Sequence, residues 1–279
     1  MKKSILFFIV VMWTIGLIAQ SKTKSTSKST VTTTAAVDMR SVIDKMADEI
    51  DAEVCIQRHW FHQNAELSNR EFKTSERIAE TLKSMGIETQ TGIAKTGVVG
   101  LIRGAKPGPT ILLRADIDGL PVTERVDLPW KSVNKAVYQG MSVGVMHACG
   151  HDTHIAMLLG AAKILNSMKD QLKGNIKLVF QPAEEGAPAG EEGGAGLMIQ
   201  EGLMNNPAVD VAFGLHVNSL TPVGHINYKP AGIMAAADQL KITIKGVQSH
   251  GSTPWKSVDP VVIGSEIVMA LQTIISRQV

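Results

Sequence analysis

Residues 154–180, HIAMLLGAAKILNSMKDQLKGNIKLVF, read as one helix followed by one buried strand. Ile155, Leu158, Leu159, Ala162, Leu165 and Met168 recur at steps of three and four, which places them on one helical face. Asp152 or Thr153 is expected to cap that helix, because a short oxygen-bearing side chain there accepts an otherwise unpaired amide. Residues 175–180 then form a short apolar run, as a strand covered on both faces does. Upstream, 98–103 and 110–115 are two more apolar runs separated by the turn-rich GAKPGP of 104–109. Still earlier lie a helix over 38–63, with Met39, Val42, Ile43, Met46, Ile50 and Val54 in a stripe, and a second over 71–85 that Gly86 ends. Cys55 lies one step off the first stripe, so a half-buried, inert thiol is expected. A Gly-diluted helix over 193–204 and a strand over 209–213 come next. Strands alternating with helices predict an α/β layer structure with a mostly parallel sheet.

After Val223 the character changes. Residues 240–244 alternate like a strand with one solvated face, and 261–275 form a strongly apolar helix. Residues 38–223 are therefore expected to form one domain, and 224–279 the start of a second, α+β, domain.

Composition narrows the function. The chain has 279 residues and a net charge of +2, but Lys2, Lys3, Lys22, Lys24 and Lys28 all precede residue 37 without any acid among them. Without those five lysines the remainder carries −3. Aromatics make up only 4%. A nucleic-acid partner, which needs a basic face or stacking platforms, is not expected. Residues 1–19 read as a cleavable signal peptide: two lysines, then an apolar run too short to span a bilayer, then small Ala19. The protein is thus expected to be exported, without stable membrane insertion. Residues 20–37, mostly Ser, Thr and Lys, read as a flexible linker. Two cysteines in an exported chain suggest a disulfide, although Cys149 has a rival role.

In an α/β sheet, functional loops gather beyond the carboxyl ends of the strands, and the polar clusters of this chain fall there. The densest is MHACGHDTH, residues 146–154. Cys149 and His151 stand two apart, so an extended backbone aims both at one point, and thiolate with imidazole suits zinc and other late first-row metals. Gly150 between them permits a tight bend. Glu184 and Glu185 come just after the strand ending at 180. Adjacent carboxylates point in different directions, so one can bind metal while the other faces substrate as a base. Their repulsion raises the pKa of whichever is free of metal. His216 ends another strand. Asp116 and Asp118 end the 110–115 run, as ligands or as groups orienting a ligand histidine, and Arg114 can equally pair with them. His250 lies in a Gly/Ser loop of the second region, where it can donate to an oxyanion.

RADIDGLPV (114–122), MHACGHDTHIAMLLGAA (146–162), FQPAEEG (180–186), GLHV (214–217) and SHGSTPWKSVDP (249–260) together resemble the M20 metallopeptidase family. The likeness is to its amidohydrolase branch of hippurate, N-acyl-amino-acid and indole-acetyl-amino-acid hydrolases. It implies a metal-dependent exopeptidase-like catalytic domain over 38–223 and a lid or dimerisation domain from 224. It also implies two divalent metal ions (manganese, zinc, cobalt or nickel) and an N-acyl amino acid or small peptide as substrate. By the same resemblance Cys149, His151, Glu185 and His216 are ligands, Glu184 is the base, Asp118 supports a ligand, and His250 holds the oxyanion from the partner subunit of a homodimer. Two departures accompany it. The segment FHQNAELSNREF (61–72) lacks the family's Pro before Glu66 and its aromatic after Ser68. The family's lid is also about twice as long as the segment after Val223, and its last His ligand is missing, so a C-terminally truncated chain with little activity of its own is expected. Two rival readings are a cysteine hydrolase using Cys149 with His147 or His151, and a non-catalytic protein that binds metal or ligand.

Overall fold

The structure, a computed structural model, describes residues 38–234 and 240–278. The signal-peptide and linker readings, 1–19 and 20–37, lie outside the described residues. In chain order the elements are α1 (Met39–Gln63), α2 (Phe72–Ser84), β1 (Glu88–Ile93), β2 (Gly97–Arg103), β3 (Lys106–Asp116), β4 (Lys135–Tyr138), β5 (Met141–Gly144), α3 (His151–Ser167), β6 (Lys173–Gln181), α4 (Gly194–Gln200), β7 (Val211–Gly214) and α5 (Pro260–Gln278). They fall into two units, one ending at Val217 and the other beginning at Asn218, a few residues ahead of the change expected at Val223.

The central sheet of the first unit has the order β1-β2-β6-β3-β7. β3 pairs in parallel with β6 and with β7, while β2 runs antiparallel to β6 and β1 antiparallel to β2. Four of these five strands therefore point the same way. The apolar runs of β2 and β3 do not pair with each other, because β6 inserts between them. Register places the site. Asp116 stands opposite Gln181 and Arg114 opposite Gly214, so β3, β6 and β7 end level and the loops after them meet on one rim.

Helices α1, α2 and α3 supply one face of the core through Phe61, Ile78, Leu82, Ile155 and Leu159, packed against Val98, Ile102, Leu178 and Phe180 of the sheet. Val99, Leu112 and Val179 on the other face meet Met198 of α4. Both faces being covered explains why β2 and β6 lack polar alternation. The α1–α3 contact is close at Gly160, where a Cβ would lie 2.9 Å from Val54 Cγ2. At the start of α2, amides of Lys73 and Thr74 donate to the Glu66 carboxylate at 3.3 and 2.9 Å, taking up two groups that a helix start leaves unpaired.

Several expectations need correction. α3 begins at His151, and the residue before it is Gly150 in the left-handed conformation (φ +86°), so neither Asp152 nor Thr153 caps it. The Asp152 carboxylate is instead committed to Arg58 and His62. α4 stops at Gln200, short of residue 204. Beyond it the Lys177 ammonium collects the carbonyls of Leu203, Asn205 and Pro207 at 2.8, 2.8 and 2.9 Å, which withdraws them from any helical ladder. Cys55 is exposed, not half-buried, and both cysteines are free thiols.

In the second unit, residues 240–244 form no strand: Leu240 is exposed and no neighbouring strand among the described residues offers a ladder. The described structure of this unit consists of a bridge between Val247 and Val258, a 3-10 turn at Pro254–Lys256 and α5. No described helix is long and apolar enough to cross a membrane.

Candidate metal centre

The rim beyond β3, β6 and β7 gathers six of the seven candidate site residues, all but His250. His151 is fully buried at the first turn of α3. Its Nδ1 lies 2.8 Å from the Asp118 carbonyl oxygen and 3.3 Å from Asp118 Oδ1. Both are acceptors, so Nδ1 carries the proton and Nε2 presents a lone pair. That Nε2 has no hydrogen-bond partner. It faces Asp116 at 3.5 Å, Glu184 at 3.7 Å and Glu185 at 3.8 Å. His216 repeats the arrangement. Its Nδ1 is 2.6 Å from the Val217 carbonyl, which requires a donor, and its Nε2 then lies 3.3 Å from Cys149 Sγ. Two imidazoles are thus fixed in the tautomer that offers Nε2 to the rim, the usual means of orienting a histidine ligand.

The ligand atoms of Cys149, His151 and His216 lie within 4.8 Å of one another, as do those of His151, Glu184 and Glu185, and those of Asp116, His151 and His154. His151 belongs to all three groups. His154 is the one already satisfied: its Nδ1 donates to Asp116 at 2.5 Å and its Nε2 accepts the Val217 amide at 2.9 Å. It braces the rim and has no nitrogen to spare. Asp116 also accepts from Arg114 at 2.6 Å, so the arginine does pair with it. Burial works to raise the Asp116 pKa, but the His154 bond and the charges of His151 and Arg114 outweigh it and bring it down to about 2. Asp118 accepts the Ser68 hydroxyl at 2.8 Å and the Glu185 amide at 2.9 Å, linking His151 to the glutamate pair. Burial and the Glu184 charge raise the Glu185 pKa, against the pull of His151. The upward shift thus falls on Glu185, the expected ligand, and burial contributes more to it than the neighbouring acid. Glu184 is the more open, its side chain 36% exposed against 23%.

Burial and then the charges of Glu185 and Glu184 push the Cys149 thiol up to about 12. A catalytic cysteine needs the opposite, an electropositive setting that lowers it. His147, its other suggested partner, is buried, has neither ring nitrogen hydrogen-bonded, and is driven by burial down to about 4. The cysteine-hydrolase reading finds no support here. A set of one sulfur, two imidazole nitrogens and carboxylates, open on the His216 and glutamate side and centred on the buried, unpaired Nε2 of His151, fits divalent metal ions.

His250 lies in the second unit. The Ser252 amide donates to its Nδ1 at 3.2 Å, so the neutral ring carries its proton on Nε2.

Sequence reasoning passed over a second layer of polar residues. His62 bridges Asp152 at 3.0 Å and Glu124 at 3.1 Å, both carboxylates being nearly inaccessible. Glu71 is fully buried beside the glutamate loop. Glu71 immediately precedes α2, and an acid at a helix start ordinarily signals a surface position favoured by the helix dipole, so nothing local marks it as buried.

Residues 112–279 match the profile of Peptidase family M20/M25/M40. Thermostable carboxypeptidase 2 of Saccharolobus solfataricus is 45% identical over 244 residues, 87% of this chain and 59% of that protein. N-acetyl-L-cysteine deacetylase of Bacillus subtilis is 43% identical over 224 residues, 80% of this chain and 50% of that protein. The solved structure of the Bacillus subtilis YXEP protein, a dinuclear metal-binding peptidase of the M20 family, superposes with a TM-score of 0.56 at 37% identity, covering 63% of this chain and 46% of that one. The chain spans between half and three-fifths of the length of these two curated relatives. With a profile match over more than half its length and identities above 40%, the chain belongs to peptidase family M20/M25/M40.

Proposed function

We propose that this protein hydrolyses the amide bond of N-acyl amino acids or small peptides with two divalent metal ions held by Cys149, His151, Glu185 and His216. Manganese, zinc, cobalt and nickel all suit a donor set that mixes sulfur, nitrogen and oxygen. The observation that carries this reading is the buried, unpartnered Nε2 of His151, set by its tautomer to face two glutamates and an aspartate. The named activities of the two curated relatives point the same way. Metal in such a site polarises a carbonyl and makes water more acidic.

The side chains do the rest. Glu184, open to substrate and next to the ligand Glu185, takes the proton of the attacking water and returns it to the leaving nitrogen. The Asp118 carbonyl accepts from His151 and its carboxylate accepts the Glu185 amide, so one residue orients two ligands. His250 of the partner subunit in a homodimer, with its proton on Nε2, is suited to donate to the developing oxyanion. Export, on the strength of residues 1–19, and homodimer assembly belong to the same proposal.

The test is metal analysis of the purified protein, then chelation and reconstitution while hydrolysis of hippurate or N-acetylmethionine is monitored. Metal is expected to be found on the protein, and whatever hydrolysis it shows to vanish with chelation and return with added metal. Turnover indifferent to chelation, or a chain that binds no metal, would overturn the reading.

A further inference from the structure

We propose that Glu71 is a positioning residue that sets the conformation of the glutamate loop through the amide of Ala183. This deepens the reading of Glu184 as base and Glu185 as ligand, and rests on it. The Glu71 side chain is wholly inaccessible and makes no ion pair among the described residues. One of its oxygens accepts the Thr96 hydroxyl at 2.6 Å, and the other accepts the Ala183 amide at 2.9 Å. A buried acid held only by neutral donors is costly to keep, and the amide it holds occupies a particular place. Ala183 precedes Glu184 and has φ +49°, a left-handed conformation that a side-chain-bearing residue resists. Pro182 before it has no amide to contribute. The bond from Glu71 is thus the fixing point at which the chain leaves β6 and turns the two glutamates toward His151.

Neighbouring residues secure the same loop at other points. Ser68 donates to Asp118, which accepts the Glu185 amide. Asn69 donates to the Glu191 carboxylate at 3.1 Å and the Glu192 carbonyl at 3.0 Å, and Arg70 pairs with Glu191. Four consecutive residues, 68–71, therefore hold the glutamate loop at its entry, middle and exit. Asn69, standing where the resembled family has an aromatic, serves this grip.

The first test needs no metal and no turnover. Amide hydrogen exchange of the metal-free protein is mapped by peptide for the parent, Glu71→Leu and Glu71→Gln. Leucine fills the space but accepts nothing. Glutamine keeps an oxygen for Ala183 and offers an amide to the Thr96 hydroxyl, which can turn to accept. Exchange over residues 182–186 is expected to quicken about tenfold or more in Glu71→Leu, with peptides from β2 and β6 at the parent rate, and to stay within about threefold of parent in Glu71→Gln. In the metal-loaded protein, Glu71→Leu should lower kcat about 10- to 100-fold with KM within about threefold, and Glu71→Gln should recover most of the loss. Unchanged protection over 182–186 in Glu71→Leu overturns the proposal, as does a loss spread equally over β2 and β6. If that variant fails to fold, Thr96→Val, which withdraws one donor from the carboxylate, carries the same comparison. An absence of local change there is equally fatal. Should Glu184→Gln keep normal turnover, the base assignment falls, while the exchange data still decide the role of Glu71.

Discussion

Glu184 and Glu185 are neighbours in sequence and opposites in setting. The Glu185 amide is held by Asp118, and its carboxylate shares space with His151 and Cys149. Glu184 is more exposed and points at the same imidazole from the open side. Glu184→Gln is accordingly expected to keep its metal and lose turnover by about 10²-fold or more, while Glu185→Ala loses metal. Metal content and kcat measured on the same preparations check this, and near-normal turnover in Glu184→Gln would remove it from the mechanism. Glu71 leads to a different measurement. Burial lifts its pKa from 4.5 to about 7, against the pull of Thr96 and Ala183. The folded state then holds a proton that the unfolded chain has released, so this group's contribution to stability is complete below about pH 4.5 and is lost as pH rises through 7. The loss amounts to about 3 kcal/mol. Glu71→Gln, which cannot ionise, should flatten that slope. Urea unfolding of the metal-free protein at pH 5 and pH 8 is the measurement, and an identical pH dependence in parent and variant would refute it.

At the scale of elements, the start of α3 carries the site. Gly150 is left-handed, and a Cβ added there would lie 2.4 Å from Val217 Cγ2 as well as being strained. Gly150→Ala should therefore displace Cys149 from His216 and weaken metal binding about tenfold or more, while the far-ultraviolet circular dichroism of the folded chain is kept. Metal titration followed by dialysis tests it, and unaltered affinity would show that the loop can yield. Residues 149–151 were legible in the sequence as a candidate metal-binding loop because Cys, Gly and His each have few structural uses in that order. The cap expected at Asp152 failed because its carboxylate is spent on Arg58 and His62, partners about 90 residues away in the chain. The core strands β2 and β6 were legible because burial on both faces leaves an uninterrupted apolar run. β1, reading ETQTGI, lies at the sheet edge with mostly exposed side chains and offers no such pattern. The β4–β5 hairpin is equally short and open. Apolar alternation over 240–244 produced no strand because a pattern describes one face only, and pairing needs a neighbour.

For the whole molecule, the consequence of the rim is linkage between metal and fold. The candidate ligands come from three separate connections, at 149–151 where the chain enters α3, after β6 at 185 and after β7 at 216. Unfolding scatters them, so metal binds the native state far better than the unfolded one. At a free metal concentration about a hundredfold above Kd, that preference stabilises the fold by about 2.7 kcal/mol. For a chain of this size the shift in Tm is about 5–10 °C. Chelation should lower Tm by that amount and change the chemistry of one cysteine. Cys149 has its Sγ 3.3 Å from His216 Nε2 within the proposed ligand set, so bound metal occupies its lone pairs and shields it from thiol reagents. Cys55 is exposed on α1 and should react whether or not metal is present. The experiment uses Cys55→Ser, alkylated with iodoacetamide before and after chelation, with the modified peptide identified by mass spectrometry and Tm recorded in parallel. Protection of Cys149 that disappears with the metal, together with the fall in Tm, is the expected outcome. Equal alkylation in both states with an unmoved Tm would mean that metal is not held through this thiol, and Cys149 would leave the ligand set.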